Sequence, residues 1–169
     1  MFTLRDIPRY ETIRAMSKRY SDADPSAIEA FLVLLRVATD LMNAGESYLG
    51  RHGFSVGRFM VLMLLNRNPE VGVSPSQLAD MAGVTRATMT GLVDSLERDG
   101  FVTREHDPLD RRSVTIHLTE RAHEFLHGFL PRHFRRIAGV MANLSANEKK
   151  KLVTLLSKVS EGITALNDE

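Results

Sequence analysis

One stretch of the chain matches a catalytic metal motif letter for letter: residues 123–127 read His-Glu-Phe-Leu-His. On a helix, two histidines at i, i+4 lie on one face, and the glutamate beside them can serve as a general base, as in zinc proteases. His133 even stands where the longer metzincin pattern has its third ligand. That pattern needs a glycine to turn the chain toward the third histidine, and Leu130 occupies its place. The flanking Phe125, Leu126 and Phe129 read as an apolar stripe of a core or interface. A zinc metalloprotease therefore stands only as an alternative. So does a regulatory zinc held by His123 and His127, with His52 or Glu46 completing the set if the fold brings them near. The opposing reading is two solvent-facing histidines on an amphipathic helix.

A second constellation is built for contact rather than catalysis. The segment TRATMTGLVDSLERDG reads as a helix with Met89, Leu92, Val93 and Leu96 on its buried face. Arg86, Ala87, Thr90 and Gly91 then face outward, with Thr88 at the border. Arginine suits guanine edges in a major groove, and threonine bonds bases or phosphates or touches the thymine methyl. Asp94, Glu97 and Asp99 follow later, where they are expected to lie away from phosphates. Close by, Asp110, Arg111 and Arg112 fall between two strand-like segments. An arginine on a narrow hairpin tip can enter a minor groove, and a neighbouring carboxylate can fix its guanidinium.

The elements that must position these residues are punctuated clearly. Residues 1–23 read as an arm with a short helix, Pro8 at its first position, and Ile13, Met16 and Tyr20 at helical spacing. Asp24-Pro25 opens a long helix to about Arg51 with a wide apolar stripe. Ser55 caps a helix that is apolar nearly all round, with Phe54 and Phe59 placed as a hydrophobic staple. Ser74-Pro75-Ser76-Gln77 is a capping box, Gly83 suits a left-handed turn, and Thr85 caps the next helix, so the pair reads as a helix-turn-helix. Residues 101–106 and 114–118 read as strands of a hairpin. Thr119 caps a long helix that Pro131 is expected to kink, and Ser145 to Glu148 form a capping box before a last amphipathic helix.

Composition narrows the classes further. The 169 residues carry a net charge of +1, so DNA contact must come from local placement rather than bulk charge. There is no cysteine, which removes disulfides, thiol redox sensing and cysteine-ligated zinc. No apolar run reaches membrane-spanning length, and the N-terminus has charges where a signal peptide has its apolar core, so a cytoplasmic protein without membrane association is expected. The predicted fold is mainly α with a small β-hairpin wing. A winged helix-turn-helix at 55–118 is flanked by an N-terminal arm and dimerisation helix at 1–54 and by C-terminal dimerisation helices at 119–169. The terminal helices have more apolar surface than a monomer needs, and a symmetric dimer fits palindromic DNA.

The stretch LADMAGVTRATMTGLVDSLERDGFVTREHDPLDRRSVTIHLTERA resembles the MarR family of transcriptional regulators. The recognition-helix pattern, the Gly-Phe-Val after it, the Asp-Arg-Arg wing and the Leu-Thr-Glu that opens the next helix carry the resemblance together. It implies a ligand-responsive repressor, not an enzyme, that binds double-stranded DNA as a homodimer. By position it implies that Thr85, Arg86, Thr88 and Thr90 touch the operator, that Asp110 orients the wing with Arg111 beside it, and that Arg112 reaches the minor groove. Gly91 departs from the pattern, since many relatives have a basic residue there. The segments TIRAMSKRY and HEFLHGFLPRHF are similar to the EmrR/MprA branch, which implies control of efflux or aromatic-compound response genes. In the family the effector cleft lies between the dimer helices and the winged helix. That implies Arg36, His52, Phe59 and Met63 as contacts for a small aromatic or hydrophobic weak acid, with no resident cofactor.

Overall fold

The computed structural model of the chain describes residues 6–106 and 114–166. It contains two compact units, one ending at Leu118 and the other beginning at Thr119. The first unit runs through residue 54 without a division.

In the first unit, α1 spans Tyr10–Ser17. Its N-cap is Arg9, so Pro8 precedes the helix instead of opening it. Arg9 is extended, and its carbonyl already accepts from the Thr12 and Ile13 amides. Ile13 is buried, whereas Met16 and Tyr20 are exposed. The long helix α2 spans Pro25–Gly50. The Asp24 carboxylate accepts from the Ser26 amide at 2.8 Å and its hydroxyl at 2.7 Å, and these bonds hold it below the usual carboxylate range. Only Thr39 and Leu49 of α2 are buried, so most of its apolar stripe faces solvent in a single chain.

The core gathers around α3, Val56–Leu65. Ser55 caps it, and Glu46 of α2 reaches across to accept from the Val56 amide at 3.2 Å. Val61, Leu62, Leu64 and Leu65 are all nearly inaccessible. α3 packs on α4, Pro75–Ala82, on α5, Arg86–Arg98, and on β2, Val114–Leu118. Leu78, Met89, Val93, Leu96 and Ile116 fill the space between them. Each such side chain contributes about 1.5–3 kcal/mol by leaving water, so this cluster sets where α5 sits. β1, Val102–His106, pairs antiparallel with β2, with Val102 opposite Leu118 and His106 opposite Val114.

A third extended residue joins this hairpin. Val73 and Ile116 exchange two backbone hydrogen bonds, of 3.1 and 2.9 Å. The segment around Val73 is too short to show strand alternation in the sequence. Gly72 just before it lies against His117 and Thr115 so closely that there is no space for a Cβ.

In the second unit, α6 spans Glu120–Val140 and runs through Pro131 without ending. Thr119 caps it, accepting from the Ala122 amide at 3.2 Å. α7 spans Ala146–Glu161, opened by the Ser145–Glu148 capping box, and continues as a 3₁₀ turn over Gly162–Leu166. None of the residues of α7 is buried, so its leucine and valine stripe is also uncovered in a single chain.

Candidate nucleic-acid interface

Two helices and a tight turn present the outward face of α5. The turn depends on Gly83, whose φ of 65° is left-handed. A side chain there would be strained, because Cβ meets the carbonyl oxygen in that region. The Gly83 and Val84 amides bond back to the Ala79 and Asp80 carbonyls of α4 and close the turn. The Thr85 hydroxyl accepts from the Thr88 amide at 3.1 Å and starts α5. Met89, Val93 and Leu96 are completely buried, which fixes the rotation of α5 about its axis.

That rotation places Thr85, Arg86, Thr88 and Thr90 together on the exposed N-terminal part of α5, with Ala87 and Gly91. Their hydroxyls are not equivalent. Thr85 and Thr88 share a hydrogen bond of 2.9 Å, and the Thr90 hydroxyl donates to the Arg86 carbonyl at 2.9 Å. Thr90 thus offers acceptor capacity and a methyl group rather than a proton. Leu92, expected on the buried face, is only half-buried, where it covers Gly57 of α3.

Sequence reading missed what happens to the acidic residues. Arg104 on β1 donates one guanidinium nitrogen to Asp94 and the other to Glu97. Arg58 on α3 pairs with Asp99 at the end of α5, donates to the Gly53 carbonyl at 3.2 Å, and lies over the Phe54 ring at 5.1 Å. Asp94, more than Glu97, holds Arg104 firmly in its charged form. Asp94 sits four residues past Thr90, a spacing that puts both on one exposed side of the helix. The only sequence signal for Arg104 is an arginine in a strand close behind two acids three residues apart.

The wing-tip residues Asp110, Arg111 and Arg112 lie outside the described residues. Of the residues expected at an effector cleft, Arg36 is half-buried and bonded to Asp40 at 2.7 Å. His52 is exposed, with its ring edge-on to Tyr48 at 5.4 Å. Phe59 belongs to the buried core and Met63 is half-buried.

On α6, His123 is half-buried and His127 exposed, while burial pushes the His133 imidazole below its usual value. Among the described residues no group of three or more His, Asp or Glu side chains is arranged to hold a metal ion. Glu46, suggested as a ligand, accepts from the Val56 amide at the start of α3. Neither this geometry nor the relatives below support the zinc-responsive or protease readings. Among the described residues no helix is long and apolar enough to cross a membrane.

A helix-turn-helix followed by a two-stranded antiparallel hairpin is a winged helix, a fold in which the second helix enters a major groove. Residues 52–113 match the MarR family. The chain is 38% identical over 165 residues to the HTH-type transcriptional repressor YetL of Bacillus subtilis, covering 98% of this chain and 99% of YetL. It is 26% identical over 152 residues to the transcriptional repressor MprA of Escherichia coli K12, covering 90% of this chain and 86% of MprA. Among solved structures, the MarR family regulator Sco3205 of Streptomyces coelicolor, in complex with DNA, superposes with a TM-score of 0.73 at 27% identity, over 79% of this chain and 86% of Sco3205. The chain belongs to the MarR family.

Proposed function

We propose that this chain is a transcriptional repressor that acts in the cytoplasm and binds a palindromic operator as a homodimer. The observation that carries the DNA reading is the exposed start of α5, where one tight turn and three buried side chains present Arg86, Thr88 and Thr90 together. The likeness to a DNA-bound relative supports the same placement. Two such helices in a dimer would read half-sites about one turn, roughly 34 Å, apart. Uncovered apolar surface supports the dimer. Phe31, Val37 and Met42 on α2, and Val153, Leu155 and Val159 on α7, are each at least 47% exposed in a single chain. Apolar surface on that scale marks an interface rather than a solvated face.

Asp110, Arg111 and Arg112 supply the wing contact in this reading. The effector is a small aromatic or hydrophobic weak acid recognised beside Arg36, where its carboxylate would replace Asp40. Such a ligand lowers DNA affinity only as far as it prefers a helix separation that does not fit the operator. Repression is supported by the likeness to YetL and MprA, each named a repressor, and the resemblance of the sequence to the EmrR/MprA branch points to efflux or aromatic-compound response genes as its targets.

The test is to incubate the protein with sheared genomic DNA from its source, recover bound fragments and sequence them, with Arg112→Ala as the control. The expected result is one palindromic site, lost in the variant, bound by a species of twice the 18.9 kDa of one chain. No enriched site in low salt would overturn the DNA-binding reading. Adding benzoate should release the site from wild type but not from Arg36→Met. Equal release from both would remove Arg36 from the effector site.

A further inference from the structure

The recognition helix carries a feature that its own stability does not require. Asp94 and Glu97 stand in the C-terminal half of α5, where a carboxylate opposes the helix dipole. Their side chains are 51% and 37% exposed, so neither is there to fill the core. Asp94 lies one helical turn beyond Thr90, roughly 6 Å along the axis. A duplex seated on Arg86 and Thr90 would therefore bring phosphates within about 10 Å, the screening length at 0.1 M salt, of at least one of these acids.

We infer that Arg104 is a charge-masking residue of the DNA interface, holding Asp94 and Glu97 so that a duplex meets them as one group of reduced negative charge instead of two free carboxylates. The inference rests on the DNA-binding reading above. Its geometry is specific to arginine. The two terminal nitrogens of one guanidinium reach two acids on successive turns of α5, which a lysine ammonium would not span as a fork. The third acid at this helix, Asp99, is paired with Arg58 of α3. Every acidic side chain on α5 and its C-cap is thus paired with an arginine from another element. Because Arg104 belongs to β1, the same contact ties the base of the wing to the recognition helix.

The test uses the full chain and two probes, the genomic site recovered as above and a random-sequence duplex of the same length, with affinity read by fluorescence anisotropy. Arg104→Met should weaken binding to both duplexes by roughly tenfold at low salt, as two unmasked charges face the phosphates. Adding Asp94→Asn and Glu97→Gln to that variant should restore most of the loss. The same two changes with Arg104 intact should tighten binding to the random duplex several-fold. Unchanged affinity in Arg104→Met overturns the inference. So does a loss that neutralising the two acids does not restore, because Arg104 would then act through direct DNA contact or through folding. Should Arg104→Met fail to fold by circular dichroism, the variant with Arg104 intact decides, and no tightening there overturns masking. A wild-type chain that binds neither duplex would instead refute the DNA-binding reading itself.

Discussion

Replacing Gly72 with alanine should cost far more than its place in a surface loop suggests. The added Cβ would fall 2.2 Å from His117 Nε2, 2.3 Å from His117 Cε1 and 2.9 Å from Thr115 Cβ. The imidazole can swing aside by giving up the Thr115 hydroxyl at 3.1 Å and the Glu105 carboxylate at 3.2 Å. Glu105 is well exposed, so that pair contributes little. Thr115 Cβ cannot move the same way, because it is bonded directly to the backbone of β2. The loop itself must lift, and Val73, the next residue, lifts with it. Its two hydrogen bonds with Ile116 then break, at about 1 kcal/mol each. Together with partial exposure of the fully buried Ile116, the loss should reach roughly 2–3 kcal/mol. For a chain of this size that lowers the melting temperature by roughly 4–12 °C. Calorimetry measures the shift, and hydrogen exchange at the Val73 and Ile116 amides locates it. A melting point within about 1 °C of wild type, with both amides as protected as before, would refute the reasoning.

Gly91→Ala should act in the opposite direction. Nothing lies within 4 Å of a Cβ there, so the interior of α5 gains about 0.5–1 kcal/mol of helix preference, read from urea denaturation; a destabilised variant would contradict this. Ser145→Ala removes the hydroxyl's half of the α7 capping box, in which Ser145 Oγ accepts from the Glu148 amide at 3.3 Å and donates to the Glu148 carboxylate at 2.7 Å, while the backbone amide of residue 145 can still donate to that carboxylate. Because no residue of α7 is buried in a single chain, the loss of about 1 kcal/mol should show as fraying of α7 in amide exchange. His133 should make stability depend on pH. Burial lowers its folded value below the usual 6.5, so the unfolded chain binds the proton more readily. Its contribution is complete above about 6.5 and is lost as pH falls through that value toward the lower folded one. The urea midpoint should therefore drop on acidification across this window, and His133→Phe, which keeps a ring stacked on Phe129, should flatten that part of the profile. An unchanged profile in the variant would show that another group is responsible.

The helices were legible because their ends are written in short-range chemistry. Asp24, Ser55, Ser74, Thr85, Thr119 and Ser145 each accept from a backbone amide two or three residues on, a relation contained within one turn. The same locality explains what was missed. The pairing of Val73 with Ile116 joins residues far apart in sequence, and no alternation in VGVS announces it. Met16 and Tyr20 have helical spacing with Ile13 yet point into solvent, because periodicity reports a face and not what covers it. Likewise the His123–His127 spacing is compatible with a ligand pair. A metal needs further donors from elsewhere in the fold, and spacing along one helix carries no information about those.

Charge shows the limit of composition most sharply. The net charge of +1 gives no hint of a surface for polyanions. On α5 itself Arg86 and Arg98 are offset by Asp94 and Glu97, so the recognition helix taken alone is neutral. Tertiary structure changes that balance by bringing Arg104 from the wing against Asp94 and Glu97, and Arg58 from α3 against Asp99. The acids are then engaged by arginines that come from other elements, and Arg86 and Arg98 remain exposed on α5. Attraction to a duplex falls off within about 10 Å in 0.1 M salt, so the charges beside the reading surface count for more than the sum over 169 residues. A near-neutral protein can therefore present a locally cationic reading head, provided its folded state, and not its sequence alone, decides which charges meet.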